Sequence, residues 1–446
     1  MRPSRRRFLR NAASASLALP AFAQSGVSPN DRVQIATIGI GGMGFGDTRN
    51  ALKDPGVELV AVCDLYTGRL ERAKELFGEG IATTRDYREI LARPDVDAVI
   101  IATPDHWHVP IATDALRAKK DVYLQKPMIH KISEGKGLVD EVRRGKQILQ
   151  VGSQYVSSAI YKKAREIIQS GQIGQLTMVE AWLDRNTATG AWQYTVPPDA
   201  SPETVDWDRF LGSAPKRPFD ATRFFRWRNY NDYGTGLAGD LYVHLLSGLH
   251  FATNSKGPTS VYSTGGLRYW KDGRDVPDVM LALFDYPDSP EHPAFNLALR
   301  VNFKSGIPEE RFGFRFSGTE GSFTTSYDTL EMVRTPDESA PGYTIGTFTK
   351  ATQEAFLKEY NEKYPEMVQK NRGRVVENSD FKASEGYSAH IAHHEAFMNA
   401  VRTRKPVVED AEFGFRAAGP ALLCNESYYK KSILYWDPAG IKQAHS

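Results

Sequence analysis

Residues 33–44, VQIATIGIGGMG, decide the fold of this chain. Residues 33–38 have the length and apolar character of a buried strand, and a glycine-rich turn follows directly. Gly39, Gly41 and Gly44 match the spacing Gly-x-Gly-x-x-Gly, which allows a tight turn, a close approach of pyrophosphate to the backbone, and close packing of helix on strand. Because the turn opens a predicted helix, whose N-terminus attracts phosphate, the stretch predicts a dinucleotide site.

A carboxylate follows at the distance that such a site requires. Residues 57–64, VELVAVCD, predict a second strand that ends in Asp64, 20 residues after Gly44. An acid there accepts hydrogen bonds from a ribose and repels the additional phosphate of NADP, so NAD is the predicted cofactor and NADP is less favoured. Gly42 and Met43, inside the glycine loop, are counted with the predicted cofactor contacts.

Alternation of strands and helices continues through the first third of the chain. Strand-like runs occur at residues 97–104, 121–127 and 147–154, and a helical pattern separates each pair. This alternation predicts an α/β domain of Rossmann type, with a doubly wound parallel sheet. We assign residues 30–153 to this NAD-binding domain.

The carboxyl ends of parallel strands meet at one edge of the sheet, where cofactors bind in folds of this class. At that edge the sequence predicts Thr103, Pro104, Lys126 and Gln154. His108, in the loop after residues 97–104, is a further candidate for the cofactor site, while the neighbouring His106 suits a structural role equally well.

Residues 1–24 precede the fold and have the character of an export signal. SRRRFL at residues 4–9 contains a twin-arginine pattern, and AFA at residues 21–23 is a small-x-small cleavage site after an apolar run. The twin-arginine export machinery moves folded proteins, so we expect a periplasmic protein that binds its cofactor before export. A plain basic tail or an uncleaved anchor is the alternative.

The composition of the remaining chain excludes several classes of protein. Without the five arginines of residues 1–24, 51 basic residues stand against 54 acidic ones with no basic stripe, so nucleic acid is not an expected partner. No later run of 18 uninterrupted apolar residues occurs, so the mature protein is not expected to enter a membrane. The sequence has two cysteines and no metal-ligand spacing, so neither a disulfide framework nor a metal site is predicted.

Several short motifs together resemble one enzyme family. The segments GIGGMG, CD, ATPDHWH and QKP, with GLAGDLYVHLLS at residues 236–247, are similar to those of the glucose-fructose oxidoreductase, inositol dehydrogenase and MocA (Gfo/Idh/MocA) family of NAD(P)-dependent enzymes. The resemblance covers nearly the whole chain after the leader. It implies a second, α+β domain with a large, open, mostly antiparallel sheet, which we assign to residues 154–446 with a C-terminal helix; we also expect a homo-oligomer.

The second part of the chain agrees with such a sheet. Strand-like runs bounded by Gly, Pro or Asp occur at residues 176–183, 278–286, 295–303 and 311–318. No helix long enough for a parallel crossover separates the last three, which favours antiparallel pairing. Residues 335–386 are the least readable part, and residues 351–369 within them predict a helix.

The resemblance assigns catalytic roles to three residues. It implies that Lys126 of the QKP motif contacts the reacting hydroxyl, although Gln125 stands where the family commonly has Glu, a carboxylate that would tune the pKa of the lysine. It also implies that Asp240 binds substrate and that His244 is the general base. Four residues apart, these two share one face if the stretch is helical.

Substrate-binding residues are expected beside this pair and in an aromatic stretch before it. Tyr242 and Ser247 stand where the family pattern has Gly and Asp, so hydrogen bonds to substrate are expected to differ. The stretch contains Trp192, Tyr194, Trp207, Phe219, Phe224, Phe225, Arg226, Trp227, Arg228, Tyr230 and Tyr233. Aromatic faces beside arginine suit a sugar, so Arg226 and Trp227 join Tyr242 as candidates; core packing or a dimer contact explains the stretch equally well.

Three functions fit these motifs. The first is an exported oxidoreductase that moves hydride from a sugar or glycoside hydroxyl to a tightly bound NAD and then to a second carbonyl substrate. The second is a glycosidase that oxidises its sugar transiently, eliminates the aglycone, adds water and returns the same hydride. The third is a non-catalytic sugar-binding protein, which would not need Lys126, Asp240 and His244 together. The lysine favours the oxidoreductase.

Overall fold

A computed structural model describes residues 32–334, 344–365 and 378–444 of the chain. The predicted export signal, residues 1–24, lies outside the described residues. Of the helix predicted at residues 351–369, the segment Lys350–Lys363 is helical and is called α10, and residues 366–369 lie outside the described part. Among the residues that are described, no helix combines the length and the apolar character needed to cross a membrane.

The first domain is built on a parallel sheet of six strands in the order β3-β2-β1-β4-β5-β6. The strands are β1 (Val33–Ile38), β2 (Val57–Cys63), β3 (Ala82–Thr84), β4 (Ala98–Ile101), β5 (Asp121–Leu124) and β6 (Leu149–Val151). All residues of β4 and β5 are buried, because helices cover both faces of the sheet. The strand order reverses between β1 and β4, where ligands bind in such folds. The predicted doubly wound parallel sheet is confirmed.

Helices connect the strands of the first domain. They are α1 (Gly42–Ala51), α2 (Thr67–Phe77), α3 (Tyr87–Leu91), α4 (His108–Arg117) and α5 (Ile132–Arg144), and α6 (Ala159–Gln169) leads into the second domain. The sequence of α5 shows why these segments are helical. Glu134 accepts a hydrogen bond from the backbone N–H of Lys131 at 2.9 Å, and Leu138 and Val139 are buried on the face toward the core.

The second domain contains a sheet of ten strands in the order β14-β13-β12-β11-β7-β10-β9-β8-β15-β16. The strands are β7 (Leu176–Asp184), β8 (Ser260–Gly266), β9 (Val279–Tyr286), β10 (Phe295–Asn302), β11 (Arg311–Gly318), β12 (Gly321–Thr325), β13 (Thr329–Arg334), β14 (Asn378–Lys382), β15 (Leu434–Asp437) and β16 (Lys442–Ala444). Neighbouring strands are antiparallel except β7 and β10, which are parallel. The large, mostly antiparallel sheet expected from the resemblance is confirmed.

The two faces of this sheet differ in their surroundings. Met280 and Phe284 of β9 are buried in one core with helices α9 (Val243–Thr253) and α12 (Ala411–Lys430). Leu281 and Leu283, which alternate with them, are 48% and 59% exposed. One face therefore packs against helices, whereas the other is open.

Residues 191–233, here called the cross-domain segment, leave the second domain and pack on the first. Helices α7 (Trp207–Leu211) and α8 (Ala221–Phe225) of this segment share a small aromatic core with Tyr66, which precedes α2. The aromatic stretch of the sequence therefore serves packing for most of its members, one of the two roles that the sequence left open.

Hydrogen bonds fasten the cross-domain segment to the first domain. The backbone N–H of Thr67 donates to the carbonyl oxygen of Thr204 at 2.9 Å. The indole Nε1–H of Trp107 donates to the carbonyl oxygen of Phe210 at 3.0 Å. These bonds connect residues that lie more than 100 positions apart in the sequence, so the segment bridges the two domains.

Helix α11 (Ala389–Thr403) also returns to the first domain. Its residues Phe397, Met398 and Val401 are buried in a core with Val33 and Ile35 of β1. Residues 389–403 belong to the part of the chain that the sequence assigns to the second domain. The apolar face of α11 packs against the parallel sheet, so this helix connects the two domains.

Candidate active site

The glycine loop has the geometry that a close approach of phosphate requires. Gly39 has a φ of +88°, which favours glycine, and a Cβ there would lie 2.7 Å from the backbone of Ala102. A Cβ on Gly44 would lie 2.0 Å from the carbonyl oxygen of Gly39, so close packing of α1 on this turn requires glycine. Helix α1 begins at Gly42, and its unpaired N–H groups therefore face the loop.

A cavity of about 450 Å³ lies along this loop and continues between the domains. It is lined by seven of the residues that the sequence assigned to the cofactor: Gly39, Gly41, Gly42, Met43, Asp64, Thr103 and Pro104. Bare glycine backbone, a helix N-terminus and a carboxylate at the end of β2 are the groups that hold the pyrophosphate and ribose of a dinucleotide. The residues present therefore fit NAD.

Asp64 has one oxygen fixed by the protein and one turned to the cavity. Its Oδ1 accepts a hydrogen bond from the backbone N–H of Tyr66 at 3.0 Å and lies 3.5 Å from Arg69 Nη1. Within the described residues Oδ2 has no hydrogen-bond partner, and the side chain lines the cavity. A ribose hydroxyl can donate to this second oxygen.

Arginines surround Asp64 at this end of the cavity, namely Arg69, Arg85, Arg88 and Arg209. Arg69 pairs with Asp64, while Arg88 and Arg209 pair with Asp86 at 3.4 and 3.5 Å. Arg85 Nη2 donates to the carbonyl oxygen of Thr204 at 2.9 Å. Each of these four arginines thus has a partner within the protein.

The cross-domain segment covers the opposite side of the cavity. It contributes Tyr194, Thr195, Arg209, Phe210, Phe224, Phe225, Trp227 and Arg228. The ring of Phe225 lies 5.4 Å from the guanidinium of Arg69, which stands beside the glycine loop. A ligand on the glycine loop therefore lies beneath this segment.

Lys126, Arg228, Asp240 and His244, here called the reacting end, lie where the two domains meet. Lys126 Nζ donates to Asp240 Oδ1 at 2.8 Å and to the carbonyl oxygen of Asp240 at 2.9 Å. Arg228 Nε donates to the same Oδ1 at 3.1 Å, and Arg228 also lines the cavity. The structure thus brings Lys126 and Asp240 together. Lys126, Asp240 and His244 do not line the cavity, and the hydrogen bond from Arg228 to Asp240 connects them with it.

Asp240 and His244 lie where a π-helical turn, Ala238–Tyr242, continues into α9. Such turns occur often at functional sites because they alter the directions of side chains within a helix. His244 is 9% exposed, and its Nδ1 has no hydrogen-bond partner among the described residues. The ring of Tyr155 meets it edge-on at 5.2 Å. A buried ring nitrogen without a partner is suited to bind a substrate hydroxyl.

The charges at the reacting end determine which groups are ionised. Burial alone would raise the pKa of Asp240, but Lys126 and Arg228 outweigh this effect and hold it well below its usual range. Burial lowers the pKa of Lys126, and Asp240 partly offsets the change. Burial, together with Lys126, lowers the pKa of His244 well below the usual imidazole value. Asp240 is therefore a carboxylate, and His244 is a neutral base at neutral pH.

Gln125 has a partner other than Lys126. Its Nε2 donates to Asp47 Oδ2 at 2.8 Å, and Asp47 Oδ1 lies 3.2 Å from His394 Nε2 in a fully buried cluster. Gln125 stands where the family commonly has a Glu that would tune the pKa of Lys126. In the structure the carboxylate beside Lys126 is Asp240, from a distant part of the chain.

His108 and Gln154, which the sequence assigned to the cofactor, do not line the cavity. Both are buried. The ring nitrogens of His108 lie 2.7 Å from the carbonyl oxygen of Pro127 and 2.9 Å from that of Thr103. His108 therefore joins the backbone beside Lys126 to the wall of the cavity, which is a positioning role.

Tyr242 and Arg226, two of the three substrate candidates, also point elsewhere. Tyr242 is fully buried, and its hydroxyl donates to the carbonyl oxygen of Met280 at 2.7 Å. Arg226 Nε donates to the carbonyl oxygen of Tyr194 at 2.7 Å and so supports a residue that lines the cavity. Trp227 is the substrate candidate that the structure places at the cavity.

Sequence reasoning does not identify two charged residues of this site, Arg228 and Asp105. Arg228 was one of many members of the aromatic stretch, and no local pattern distinguished it from Arg226. Asp105 is 1% exposed, and its Oδ2 accepts a hydrogen bond from the hydroxyl of Thr235 at 2.7 Å. Its place in the DHWH motif, directly after β4, was the available signal.

Parts of the chain are similar to curated relatives. It is 33% identical to inositol 2-dehydrogenase from Salmonella typhimurium over 144 residues, which are 32% of this chain and 43% of the relative. It is 28% identical to alpha-N-acetylgalactosaminidase from Shewanella oneidensis over 178 residues, 36% of this chain and 39% of the relative. The chain spans less than half the length of these curated relatives.

The whole fold is similar to solved structures. Levoglucosan dehydrogenase, in complex with NADH and levoglucosan, matches with a TM-score of 0.65 and 18% sequence identity. The match covers 91% of this chain and 99% of that chain. At this identity the likeness shows the fold.

Two family models match most of the chain. Residues 33–153 match the oxidoreductase family with an NAD-binding Rossmann fold, and residues 165–431 match the C-terminal alpha/beta domain of the same family. The glycine loop, which follows the first strand, and the order of the two sheets agree with these matches. The chain therefore belongs to the Gfo/Idh/MocA family of oxidoreductases.

Proposed function

We propose that this protein moves hydride between a hydroxyl of a sugar or glycoside and a tightly held NAD. The observation that carries the proposal is the reacting end, where Lys126 and Arg228 bind Asp240, His244 follows four residues later, and Arg228 lines the cavity that begins at the glycine loop. The names of the relatives support a polyhydroxylated substrate, because inositol and levoglucosan both appear among them. Asp64 supports NAD over NADP.

Lys126 is suited to hold the reacting oxygen. An ammonium group has three N–H donors, and Asp240 engages two of them. The third can donate to a substrate oxygen as negative charge develops there, and a buried, preorganised donor is especially effective. Bound NAD supplies the carbon that accepts the hydride.

His244 is suited to take the proton of the same hydroxyl. Its lowered pKa keeps the ring neutral at and below neutral pH, so a nitrogen lone pair is available. Asp240 binds Lys126 and Arg228 directly and orients the lysine. Proton removal and charge stabilisation thus belong to different side chains.

We infer that the cofactor stays bound between turnovers. The cross-domain segment lies over the cavity and is fastened to the first domain by backbone bonds such as Thr67 N–H to Thr204 O. Release of a dinucleotide would require these contacts to open. A cofactor that does not exchange must return its hydride within the site, so a second carbonyl substrate completes the cycle.

Retention can be tested on the protein as it is purified. The protein is denatured without any added NAD, and the released small molecules are identified by mass spectrometry. The proposal predicts NAD or NADH close to one equivalent for each chain. Protein that is folded but releases no dinucleotide would contradict retention.

A glycosidase that oxidises its substrate transiently is the second candidate. The similarity to an alpha-N-acetylgalactosaminidase favours it, and the same proton-transfer residues would serve both reactions. Rapid mixing with aryl glycosides separates the two functions. Lasting reduction of the nicotinamide supports the oxidoreductase, whereas transient reduction with release of the aglycone supports the glycosidase.

We propose that the protein is exported to the periplasm by the twin-arginine machinery, with its cofactor bound. The signal at residues 4–9 supports this route. Arg5→Lys combined with Arg6→Lys should leave a folded, active precursor inside the cell, as measured by fractionation. Normal arrival of the double variant in the periplasm would show that residues 4–9 are not such a signal.

We propose further that the protein is a homo-oligomer. Leu281, Leu283 and Tyr262 are 48%, 59% and 40% exposed on the open face of the ten-stranded sheet, and exposed apolar surface of this kind favours association. Light scattering should give a mass that is a multiple of the chain mass. A monomer at micromolar concentration would contradict this proposal.

A further inference from the structure

Two cationic side chains at the reacting end share one carboxylate. Lys126 and Arg228 both bind one carboxylate oxygen, Asp240 Oδ1. Asp105 is buried nearby, but its Oδ2 accepts a hydrogen bond from the hydroxyl of Thr235, and it makes no hydrogen bond to Lys126 or Arg228. Arg228 therefore has a single hydrogen-bonded partner among the described residues and retains N–H groups for a ligand.

Arg228 lines the cavity and does not use all of its N–H groups within the described residues. Its Nε is bound to Asp240, and its guanidinium lies 4.2 Å over the ring of Trp227, so its plane is held from two sides. Among the described residues Nη1 and Nη2 have no hydrogen-bond partner, and the side chain lines the cavity. Two N–H groups on a fixed planar fork match the two oxygens of a carboxylate.

We propose that the substrate is a sugar acid and that Arg228 binds its carboxylate through Nη1 and Nη2. The inference rests on the proposed function and deepens it by naming the substrate class. Lys126 and Arg228 meet at a single oxygen of Asp240, so one small molecule can reach both cations. Its hydroxyl then lies at Lys126 and its carboxylate at Arg228.

The cofactor would leave the fork of Arg228 available. The glycine loop, with its bare backbone and the N-terminus of α1, would hold the pyrophosphate of NAD, so Arg228 is not needed for that group. A neutral sugar has no group that matches the fork of Arg228, whereas a sugar acid supplies a carboxylate with two acceptor oxygens.

Matched pairs of substrates test the proposal on the NAD-loaded protein. Glucose and glucuronate, galactose and galacturonate, and their methyl glycosides differ by one carboxylate. Rapid mixing gives kcat/KM for reduction of the bound nicotinamide, and calorimetry gives Kd. The acid of each reactive pair should be favoured by roughly 10- to 100-fold in both, the scale of a charge-assisted pair of hydrogen bonds.

Substitutions at Arg228 test whether this residue causes the preference for the acid. Arg228→Gln should bring the ratio of acid to neutral substrate close to one, and Arg228→Lys should keep part of it, because the charge remains without the fork. Arg217→Gln is the matched control, since this arginine belongs to the same segment, is 42% exposed and does not line the cavity. The ratio of acid to neutral substrate is measured on one variant at a time. A general loss of folded protein lowers both values equally and leaves this ratio unchanged.

The outcomes separate this inference from the proposed function. Neutral sugars that bind and react at least as well as their acids would overturn the inference while leaving the function in place. Preference for glucose 6-phosphate over glucuronate would show that the site binds a phosphate better than a carboxylate, and this would overturn the inference. If no sugar reduces the nicotinamide but the acids still bind more tightly through Arg228, the function fails and the binding site stands.

Discussion

The phosphate end and the reacting end of the site are formed by different kinds of chemical group, backbone at one and side chains at the other. The phosphate end consists of contiguous backbone, Gly39 to Met43, and its shape depends on residues that lack side chains. The reacting end consists of side chains on Lys126, Arg228, Asp240 and His244, which come from separate segments. The first can form when one strand and one helix are in place, whereas the second exists only after both domains have met.

This difference separates holding the cofactor from performing chemistry. The glycine loop and Asp64 contact the end of a dinucleotide that does not react, whereas the reacting end contains the groups that can move a proton or bind a developing charge. Substitutions at one end should therefore change binding or stability with little effect on the chemical step, and substitutions at the other should do the opposite. The following predictions test that division.

Replacing His244 should have the largest effect. His244→Ala should slow reduction of the bound nicotinamide by about 10² to 10⁴, because the proton acceptor is lost, and higher pH should restore part of the rate as hydroxide takes its place. Rapid mixing over a range of pH measures both. Cofactor content after purification should match the wild type, and a large loss of NAD would contradict the division between the two ends.

The wild-type pH profile tests the same residue. Burial and Lys126 lower the pKa of His244 below the usual 6.5, so the base loses its lone pair only at more acidic pH. The rate should therefore remain high as pH falls through 6.5 and decline below it. A decline centred on 6.5 would show that His244 is not the neutral, buried base described here.

Replacing Lys126 should have the next largest effect. Lys126→Ala should reduce the rate of hydride transfer by about 10² to 10³, the scale of losing one preorganised donor at a developing negative charge. Lys131→Ala, which removes an exposed lysine five residues later, is the control and should behave as wild type. Equal rates of hydride transfer in the two variants would show that Lys126 takes no part in the chemical step.

Asp64 tests the phosphate end. Asp64→Asn should weaken NAD binding by roughly 10- to 100-fold, because a charged acceptor for the ribose is lost, and should narrow the difference between NAD and NADP. Calorimetry on protein freed of cofactor measures both constants. After reloading at saturating NAD, the chemical rate should match wild type. An unchanged preference for NAD would assign selectivity to another residue.

The glycines should give the smallest effect on chemistry. Gly44→Ala places a methyl group 2.0 Å from the carbonyl oxygen of Gly39, so the free energy of unfolding should fall by about 1 to 3 kcal/mol. Gly46→Ala in the same helix meets nothing within 4 Å and should be neutral or stabilising by up to about 1 kcal/mol. Thermal unfolding compares them, and equal stability would contradict the close packing of α1.

The phosphate end could be predicted from sequence because its determinants are local. Strand length, glycine spacing and the distance to Asp64 lie within about 30 residues, and each has a direct geometric meaning. The parallel sheet followed from the same alternation. The strands of the second domain were also visible, because apolar and polar residues alternate along them.

The reacting end could be predicted only in part. The resemblance implied Lys126, Asp240 and His244, but nothing local indicated that Arg228 would share an oxygen with Lys126. Tyr242 was a candidate because it lies two residues from Asp240, yet residues two apart on a helix do not face the same side, and Tyr242 turns to the sheet. Such contacts depend on how distant segments pack together, and local patterns in a single sequence do not show this packing.

The transfer of a labelled hydride tests the central claim most directly. The purified protein, with no NAD added, is mixed with sugar acids that carry carbon-bound deuterium in place of every carbon-bound hydrogen. The protein is then denatured, and the mass of the released cofactor is measured by mass spectrometry. The account predicts that the bound nicotinamide gains one deuterium in the wild type and far more slowly in Lys126→Ala. A reduced cofactor without deuterium, or no reduced cofactor with any sugar or glycoside, would contradict it.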